Sequence, residues 1–182
     1  MAKPYAGLSG SGMHVHFSIL DKKGKNIFAG KDKKGAPALR YAIGGLMDNM
    51  ADSMAFFAPH ANSYRRLVRG SHAPTKITWG YDNRSASIRV PDSDIANTRI
   101  EHRVAGADTN PYLVLAAILA AALEGIERKT DPDAPNTGNV YNAKAKTLPA
   151  TWAETLALLE KSRFIDQAFG GAYQKLYLAC KR

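Results

Sequence analysis

Arg99-Ile100-Glu101-His102-Arg103 has the alternating pattern of a half-buried β-strand. Successive side chains of a strand point to opposite faces, so Arg99, Glu101 and Arg103 are predicted to share one face. Two neighbouring positive charges favour the ionised form of Glu101. Such a face suits an anionic substrate, a phosphate or a metal–phosphate complex. The alternative is a surface row of ion pairs that adds little stability.

The composition is that of a single soluble globular domain. Of the 182 residues, 45% are hydrophobic and 23% are charged. The single cysteine, Cys180, excludes a disulfide framework and a thiolate zinc site, and it fits a reducing compartment. No signal segment is visible at the N-terminus, and the longest apolar run, 112–123, is shorter than the roughly 18 residues that a membrane span needs. We therefore predict a cytoplasmic protein with no membrane partner.

The net charge of +9 predicts an acidic partner. Six lysines lie between Lys22 and Lys34, where they fit a solvated hairpin tip. No aromatic residues alternate with them as a stacking surface for bases requires, so no nucleic-acid partner is predicted. The arginines carry more information, because converging guanidiniums are costly unless an anion compensates them. Their alternative role is that of scattered surface charges. Residues 65–103 contain Arg65, Arg66, Arg69, Arg84, Arg89, Arg99 and Arg103.

Hydrophobic periodicity predicts strands first and helices later. The strands are expected over residues 13–20, 75–79, 85–90 and 99–104. Helices are expected over residues 37–57 and 112–128, and in a closing region from residue 151 that is interrupted at Gly170-Gly171. This order favours an α+β fold, with an antiparallel sheet and helices packed on it.

Two histidines are candidate ligands on the first strand. His14 and His16 share a face with Ser18, and imidazole can bind a divalent metal, a carboxylate or a phosphate. The alternative is a solvated polar strand face. Glu101 could join a metal site if its strand lies beside His14, although Mg²⁺ and Mn²⁺ prefer oxygen-rich octahedral shells. Such a site therefore needs further carboxylates.

Arg84 and Arg89 are five residues apart, so a regular strand would place them on opposite faces. Either Arg84 lies in the turn before the strand, or a bulge intervenes. The sequence has no Walker-type phosphate loop and no nucleophile elbow.

Four blocks of this sequence, in their order and spacing, resemble the glutamine synthetase family over nearly the whole chain. They are residues 10–16 (Gly-Ser-Gly-Met-His-Val-His), 62–67 (Asn-Ser-Tyr-Arg-Arg-Leu), 83–89 (Asn-Arg-Ser-Ala-Ser-Ile-Arg), and 99–103 running on to Asn110-Pro111-Tyr112. Residues 79–84 and 103–108 are more similar to the branch that joins glutamate to amines, such as the γ-glutamylputrescine (γ-glutamyl-polyamine) synthetases.

The resemblance implies an ATP-dependent carbon–nitrogen ligase. In such enzymes ATP phosphorylates the γ-carboxylate of glutamate, and ammonia or an amine displaces the phosphate. The implied cofactor is Mg²⁺ or Mn²⁺, with ATP as co-substrate, and the full-length enzyme is expected to be a homo-oligomer.

The resemblance also implies roles for individual residues. His14 and Glu101 would bind the metal, and Arg66, Arg103, Gly10 and His16 would bind glutamate. His16, Ser18, Arg84, Arg89 and Arg99 would contact the nucleotide, with Arg84 and Arg89 stabilising charge on the transferred phosphoryl group.

The sequence departs from the family pattern in three places. His72 stands where ammonia-using members carry a catalytic glutamate, so it is the candidate base but cannot offer negative charge to a cationic nucleophile. Ser9 stands where asparagine is usual. Residues 1–182 are expected to form the C-terminal part of the catalytic domain, without the N-terminal β-grasp domain and most metal-binding glutamates. We therefore expect the isolated chain to be inactive; the alternative is a non-catalytic nucleotide-binding, anion-binding or partner-subunit module.

Overall fold

The computed structural model describes all residues from 1 to 182. Its centre is a four-stranded sheet with the order β1-β4-β3-β2. The strands are β1 (Val15–Phe17), β2 (Trp79–Tyr81), β3 (Ile88–Val90) and β4 (Ile100–His102). The α+β class is confirmed, with helices and sheet sharing one apolar core.

The sheet is mixed. β4 pairs antiparallel with both β1 and β3, as expected, whereas β2 and β3 run parallel. Residues 82–87, which connect β2 to β3, do not form a hairpin, because the side-chain amide of Asn83 is hydrogen-bonded to a later segment of the chain. It donates to the carbonyls of Asn136 (3.0 Å) and Gly138 (2.9 Å). The chain therefore returns to the level of the first residue of β2 before it enters β3, so Trp79 pairs with Ile88.

Six α-helices surround the sheet. They are α1 (Pro37–Asp48), α2 (Met54–Phe57), α3 (Pro111–Arg128), α4 (Trp152–Lys161), α5 (Arg163–Phe169) and α6 (Gly171–Lys181). The prediction of one continuous helix over 37–57 is wrong, because α1 ends at Asp48 and α2 begins only at Met54. Asn49 donates to the Gly45 carbonyl from both its backbone (3.2 Å) and its side chain (3.1 Å), which ends α1.

Two glycines allow α1 and α3 to approach closely. A Cβ on Gly45 would overlap the backbone of Ala121 and Gly125, and a Cβ on Gly125 would overlap the backbone of Tyr41 and Gly45. The predicted start of α3 is confirmed, because the Asn110 side chain accepts a hydrogen bond from the Tyr112 amide (3.0 Å).

The segment 130–147 is mostly exposed but is tied to the sheet. The indole of Trp79 donates to the Asp133 carbonyl (2.7 Å), and the Asn136 amide donates to the Trp79 carbonyl (2.8 Å). This segment therefore covers the free edge of β2. None of the helices has the length and apolar character that crossing a bilayer requires.

Candidate functional site

Three side chains form a row across one face of the sheet. His16 on β1 is paired in register with Glu101 on β4, and Glu101 is paired with Arg89 on β3. Neighbouring strands place paired residues on the same face, so these groups converge. His14, two residues before His16, lies on the same face of β1.

Glu101 is the centre of this cluster, and only 5% of its side chain is exposed. Arg89 donates to its Oε2 from Nη1 (2.9 Å). On the other carboxylate oxygen, Oε1, the contacts are His14 Nδ1 (3.0 Å), His16 Nε2 (3.5 Å) and Arg103 Nε (3.5 Å). The predicted sharing of a face by Glu101 and Arg103 is confirmed, and the pairing is buried rather than on the surface.

The electrostatic environment keeps Glu101 ionised and His14 neutral. Burial opposes ionisation of Glu101, but the Arg89 hydrogen bond and the Arg103 charge outweigh it and lower the pKa of the carboxyl. Burial, and next the positive charge of Arg103, lower the pKa of His14 despite the opposing effect of Glu101. A neutral imidazole beside a carboxylate is the form that can bind a metal.

Arg89 connects the cluster to Asp82, a residue that the sequence reasoning missed. The guanidinium donates to Asp82 Oδ1 from Nε (3.0 Å) and from Nη2. Asp82 has a left-handed backbone (φ 45°) and follows β2 directly. No periodic signal marks it, because its proximity to Arg89 depends on the parallel pairing of β2 and β3.

Arg103 and Arg66 are both buried and both use backbone carbonyls. Arg103 Nη1 donates to the carbonyls of Arg84 and, at 3.3 Å, Ala86. Arg66 Nη1 donates to the Val104 carbonyl (2.8 Å). A Cβ on Gly12 would overlap the Arg66 guanidinium, and one on Gly10 would crowd the Arg66 side chain, so the glycine-rich loop is what leaves room for Arg66.

His72 and Arg84 lie together, apart from Glu101. They line a cavity of about 380 Å³ with Arg69, Asn139 and Tyr141. Arg84 precedes β3, so of the two alternatives the turn is correct and no bulge is needed. His72 is exposed and has a left-handed backbone (φ 62°).

A third region lies beside β1. His16, Ser18 and Arg99 line an open cavity of about 700 Å³, together with Lys33 and Asn97. The predicted nucleotide contacts are therefore divided. His16, Ser18 and Arg99 adjoin this cavity, Arg89 lies in the Glu101 cluster, and Arg84 lies in the smaller cavity.

The chain alone supplies only part of a metal site. His14 and Glu101 are adjacent, as the resemblance implies, but no group of three or more His, Cys, Asp or Glu side chains is arranged to hold a metal. Both oxygens of Glu101 also face arginines. An oxygen-rich octahedral shell therefore does not fit these residues without further ligands.

The fold and the site together place a buried carboxylate, paired with two arginines, on one face of a mixed sheet. The chain belongs to the glutamine synthetase family, because the family profile for the glutamine synthetase catalytic domain matches residues 1–182. Enzymes of this family are carbon–nitrogen ligases that use ATP and divalent metal ions.

Curated relatives come from both branches of the family. The γ-glutamylputrescine synthetase PuuA of Escherichia coli K12 is 38% identical over 181 residues, which cover 100% of this chain and 38% of the relative. The glutamine synthetase of Pyrococcus abyssi is 44% identical over 190 residues, covering 100% of this chain and 43% of the relative. The chain therefore spans about two fifths of the length of these relatives.

Two solved structures have the same fold as this chain. A structure titled as a GmaS/ADP complex superimposes with a TM-score of 0.90 at 35% identity, covering 100% of this chain and 44% of that one. A GmaS structure without ligand gives a TM-score of 0.89 at 34% identity and covers 42% of that chain.

Proposed function

We propose that this chain forms the C-terminal part of the catalytic domain of an ATP-dependent ligase that joins the γ-carboxyl group of glutamate to ammonia or an amine. The observation that carries the proposal is the buried Glu101 cluster. In this cluster one carboxylate contacts His14 beside β1, Arg89 on β3 and Arg103 at the end of β4. Transfer of a phosphoryl group depends mainly on positioning and on neutralising charge, and these residues supply both.

The positions of the residues support the roles that we propose for them. Arg89 is held by Glu101 and Asp82, so its guanidinium is fixed in place to stabilise charge on a transferred phosphoryl group. Arg66 and Arg103, both buried and 6% exposed, would bind the carboxylates of glutamate beside Gly10 and His16. Ser18, His16 and Arg99 would contact the nucleotide from the larger cavity, and Arg84 would meet its phosphates from the smaller one.

His14 and Glu101 would contribute two ligands to Mg²⁺ or Mn²⁺, and residues outside this chain would complete the shell. The bound metal supplies positive charge that offsets the phosphates of ATP. Because the metal shell is incomplete in the isolated chain, we predict that this chain binds the nucleotide but does not complete ligation. A homo-oligomeric full-length enzyme, a cytoplasmic location and the absence of a nucleic-acid partner stay predictions.

Isothermal titration of the chain with ATP and Mg²⁺, with and without L-glutamate, tests this proposal. We expect saturable binding that requires the metal and that glutamate strengthens, because both substrates converge on the Glu101 cluster. Glu101→Gln keeps the shape of the side chain and removes its charge, so it should abolish the metal-dependent binding of ATP.

Asp82→Asn is the matched control, because it removes a carboxylate from the other side of Arg89 while leaving Glu101 intact. We expect metal-dependent binding to survive in this variant. ATP binding that needs neither metal nor glutamate would contradict the ligase and favour a plain anion-binding module. A well-folded chain that does not bind ATP at all would contradict the proposal as well.

A further inference from the structure

The two buried arginines of the chain, Arg66 and Arg103, differ in how their charge is compensated. Each has 6% of its surface exposed. Arg103 lies 3.5 Å from Glu101, whereas Arg66 forms no ion pair. Arg66 donates only to neutral carbonyls, those of Val104 (2.8 Å) and Arg103 (3.5 Å). A buried guanidinium is costly without a compensating charge, so its counter-charge has to be sought beyond ion-pair distance.

A pair of glycines places Asp108 beside Arg66. Gly12 and Gly106 form an antiparallel bridge, and the backbone hydrogen bonds flank this pair rather than join its members. In such a pair the Cα atoms are about 4.5 Å apart and the side chains point to the same side. The Cβ position of Gly12 lies 3.1 Å from Arg66 Cζ, and that of Gly106 lies 2.6 Å from Asp108 Oδ1. Arg66 and Asp108 therefore occupy neighbouring places over one side of the glycine pair.

The charge of Asp108 acts on Arg66 from this position. Burial lowers the pKa of the Arg66 guanidinium, the negative charge of Asp108 raises it, and the positive charge of Arg103 lowers it. Asp108 therefore compensates Arg66 without binding any of its N–H groups.

Ser63 fixes the carboxylate of Asp108. The Ser63 hydroxyl is buried, donates to Asp108 Oδ2 (2.8 Å) and accepts from the His60 amide (3.2 Å). The other oxygen, Asp108 Oδ1, is buried and has no hydrogen-bond partner, which is tolerable only where a positive charge lies near. Ser63 belongs to the 3₁₀ segment Ala61–Arg65, directly before Arg66. One segment thus carries both the arginine and the hydroxyl that restrains its counter-charge.

This arrangement leaves donor groups of Arg66 free, in contrast to Arg89. Arg89 donates to Glu101 from one nitrogen and to Asp82 from the other two. Arg66 uses two of the five N–H groups of a guanidinium, both on carbonyls, and keeps three. A guanidinium with free N–H groups can bind a carboxylate through two parallel hydrogen bonds.

We infer that Ser63 and Asp108 are positioning residues for the substrate glutamate. Ser63 holds Asp108 away from Arg66, so that Asp108 compensates the buried guanidinium while its free N–H groups stay available for a carboxylate of the substrate. This inference rests on the proposed function, in which Arg66 binds glutamate, and neither positioning residue touches the substrate. Without the Ser63 hydroxyl, Asp108 turns onto Arg66 and competes with glutamate.

Two substitutions with opposite expected effects test the inference. The measurement is isothermal titration of the intact chain with L-glutamate, at saturating ATP and Mg²⁺ and constant ionic strength. Asp108→Asn keeps an oxygen that accepts from Ser63 and removes only the charge, so the affinity for glutamate should rise about threefold or more. Ser63→Ala releases the carboxylate, so the affinity should fall about fivefold or more. The double variant should bind like Asp108→Asn alone, because the hydroxyl then has no charge to restrain.

The NMR signal of the Arg66 Nε–Hε group is a second readout that needs no substrate. It is assigned by its loss in Arg66→Lys. Ser63→Ala should shift this signal and slow its exchange with water, because an ion pair forms, and adding Asp108→Asn should reverse both effects. A role of Ser63 in structure alone would instead loosen the segment equally with or without the Asp108 charge.

The chain offers a matched control in a second serine–aspartate pair. Ser162 Oγ donates to Asp52 Oδ2 (2.6 Å), and Asp52 forms no ion pair with an arginine. Asp52→Asn and Ser162→Ala remove the same groups as the two test substitutions. They should leave the glutamate affinity and the Arg66 signal unchanged.

Weaker glutamate binding in Asp108→Asn, or an equal effect of Ser63→Ala with and without Asp108, would overturn the inference. So would a chain that binds ATP with metal but does not bind glutamate, since Arg66 would then hold no substrate carboxylate. Failure of the proposed function has a different signature, which is the absence of metal-dependent ATP binding.

Discussion

Glu101 compensates the positive charges of Arg89 and Arg103 at once, so its charge matters for stability. Removing one partner of a buried ion pair leaves the other charge uncompensated, which costs about 3–5 kcal/mol. We expect Glu101→Gln to lower the free energy of unfolding by about 3 kcal/mol, measured by urea denaturation. Asp82→Asn should cost less than about 1 kcal/mol, because the Asp82 side chain is 59% exposed. Equal losses in the two variants would contradict a buried, charge-centred cluster.

His102 is a second buried polar residue, on the opposite face of β4. Neither ring nitrogen has a hydrogen-bond partner, and the ring packs on Phe57 at 4.6 Å between centroids. Burial, with a smaller effect of His14, lowers the pKa of His102 to about 3 from the usual 6.5. The folded chain therefore keeps this imidazole neutral where the unfolded chain protonates it.

A pH dependence of stability follows from that difference. Since the unfolded state binds the proton first, the free energy of unfolding should fall as the pH drops from about 6.5 towards 3, by up to about 1.4 kcal/mol per pH unit from this residue. His102→Leu should remove this contribution, so the variant gains stability relative to the parent as the pH falls. Parallel stability–pH curves for the two proteins would show that His102 does not carry the effect.

At the level of elements, the contact between α1 and α3 depends on Gly45 and Gly125. Alanine is the better helix former by about 1 kcal/mol, but here its methyl group would overlap the backbone of the opposite helix. We expect Gly125→Ala to lower the free energy of unfolding by about 2 kcal/mol or more. Gly7→Ala is the control, because nothing lies within 4 Å of its Cβ position. A neutral or stabilising Gly125→Ala would mean that the helices pack less closely than described.

Local pattern predicted some elements well and others poorly. Alternation correctly placed His14, His16 and Ser18 on the exposed face of β1, and the Asn110-Pro111 pair correctly marked the start of α3. Both features are encoded within a few residues. The parallel pairing of β2 with β3 depends instead on Asn83 contacting residues more than 50 positions later, and a local pattern carries no such information.

The same distinction applies to the candidate site. A strand pattern alone brought Glu101 and Arg103 to one face, but the convergence of His16, Glu101 and Arg89 required the strand order and register. The position of Asp82 and that of the separate cavity at His72 depend on the paths of the loops that carry them. Their positions therefore became visible only in the folded chain.

At the scale of the whole molecule, α3 exposes an apolar stripe of Tyr112, Leu115, Leu119 and Leu123, which are 82%, 42%, 49% and 53% exposed. An uncovered apolar face of this kind promotes association. We expect sedimentation analysis to show the chain associating as its concentration rises. Leu119→Lys combined with Leu123→Glu should reduce this association without changing the helical content. Unchanged association in that variant would mean that another surface is responsible.

We propose that the Glu101 cluster is the metal–nucleotide part of a ligase site. The most direct test is paramagnetic broadening of the NMR spectrum of the ¹⁵N-labelled chain by Mn²⁺ with ATP. We expect selective broadening of β1 around His14 and His16 and of β4 around Glu101. Broadening centred on the lysine-rich turn at residues 22–34, with β1 and β4 unaffected, would contradict it.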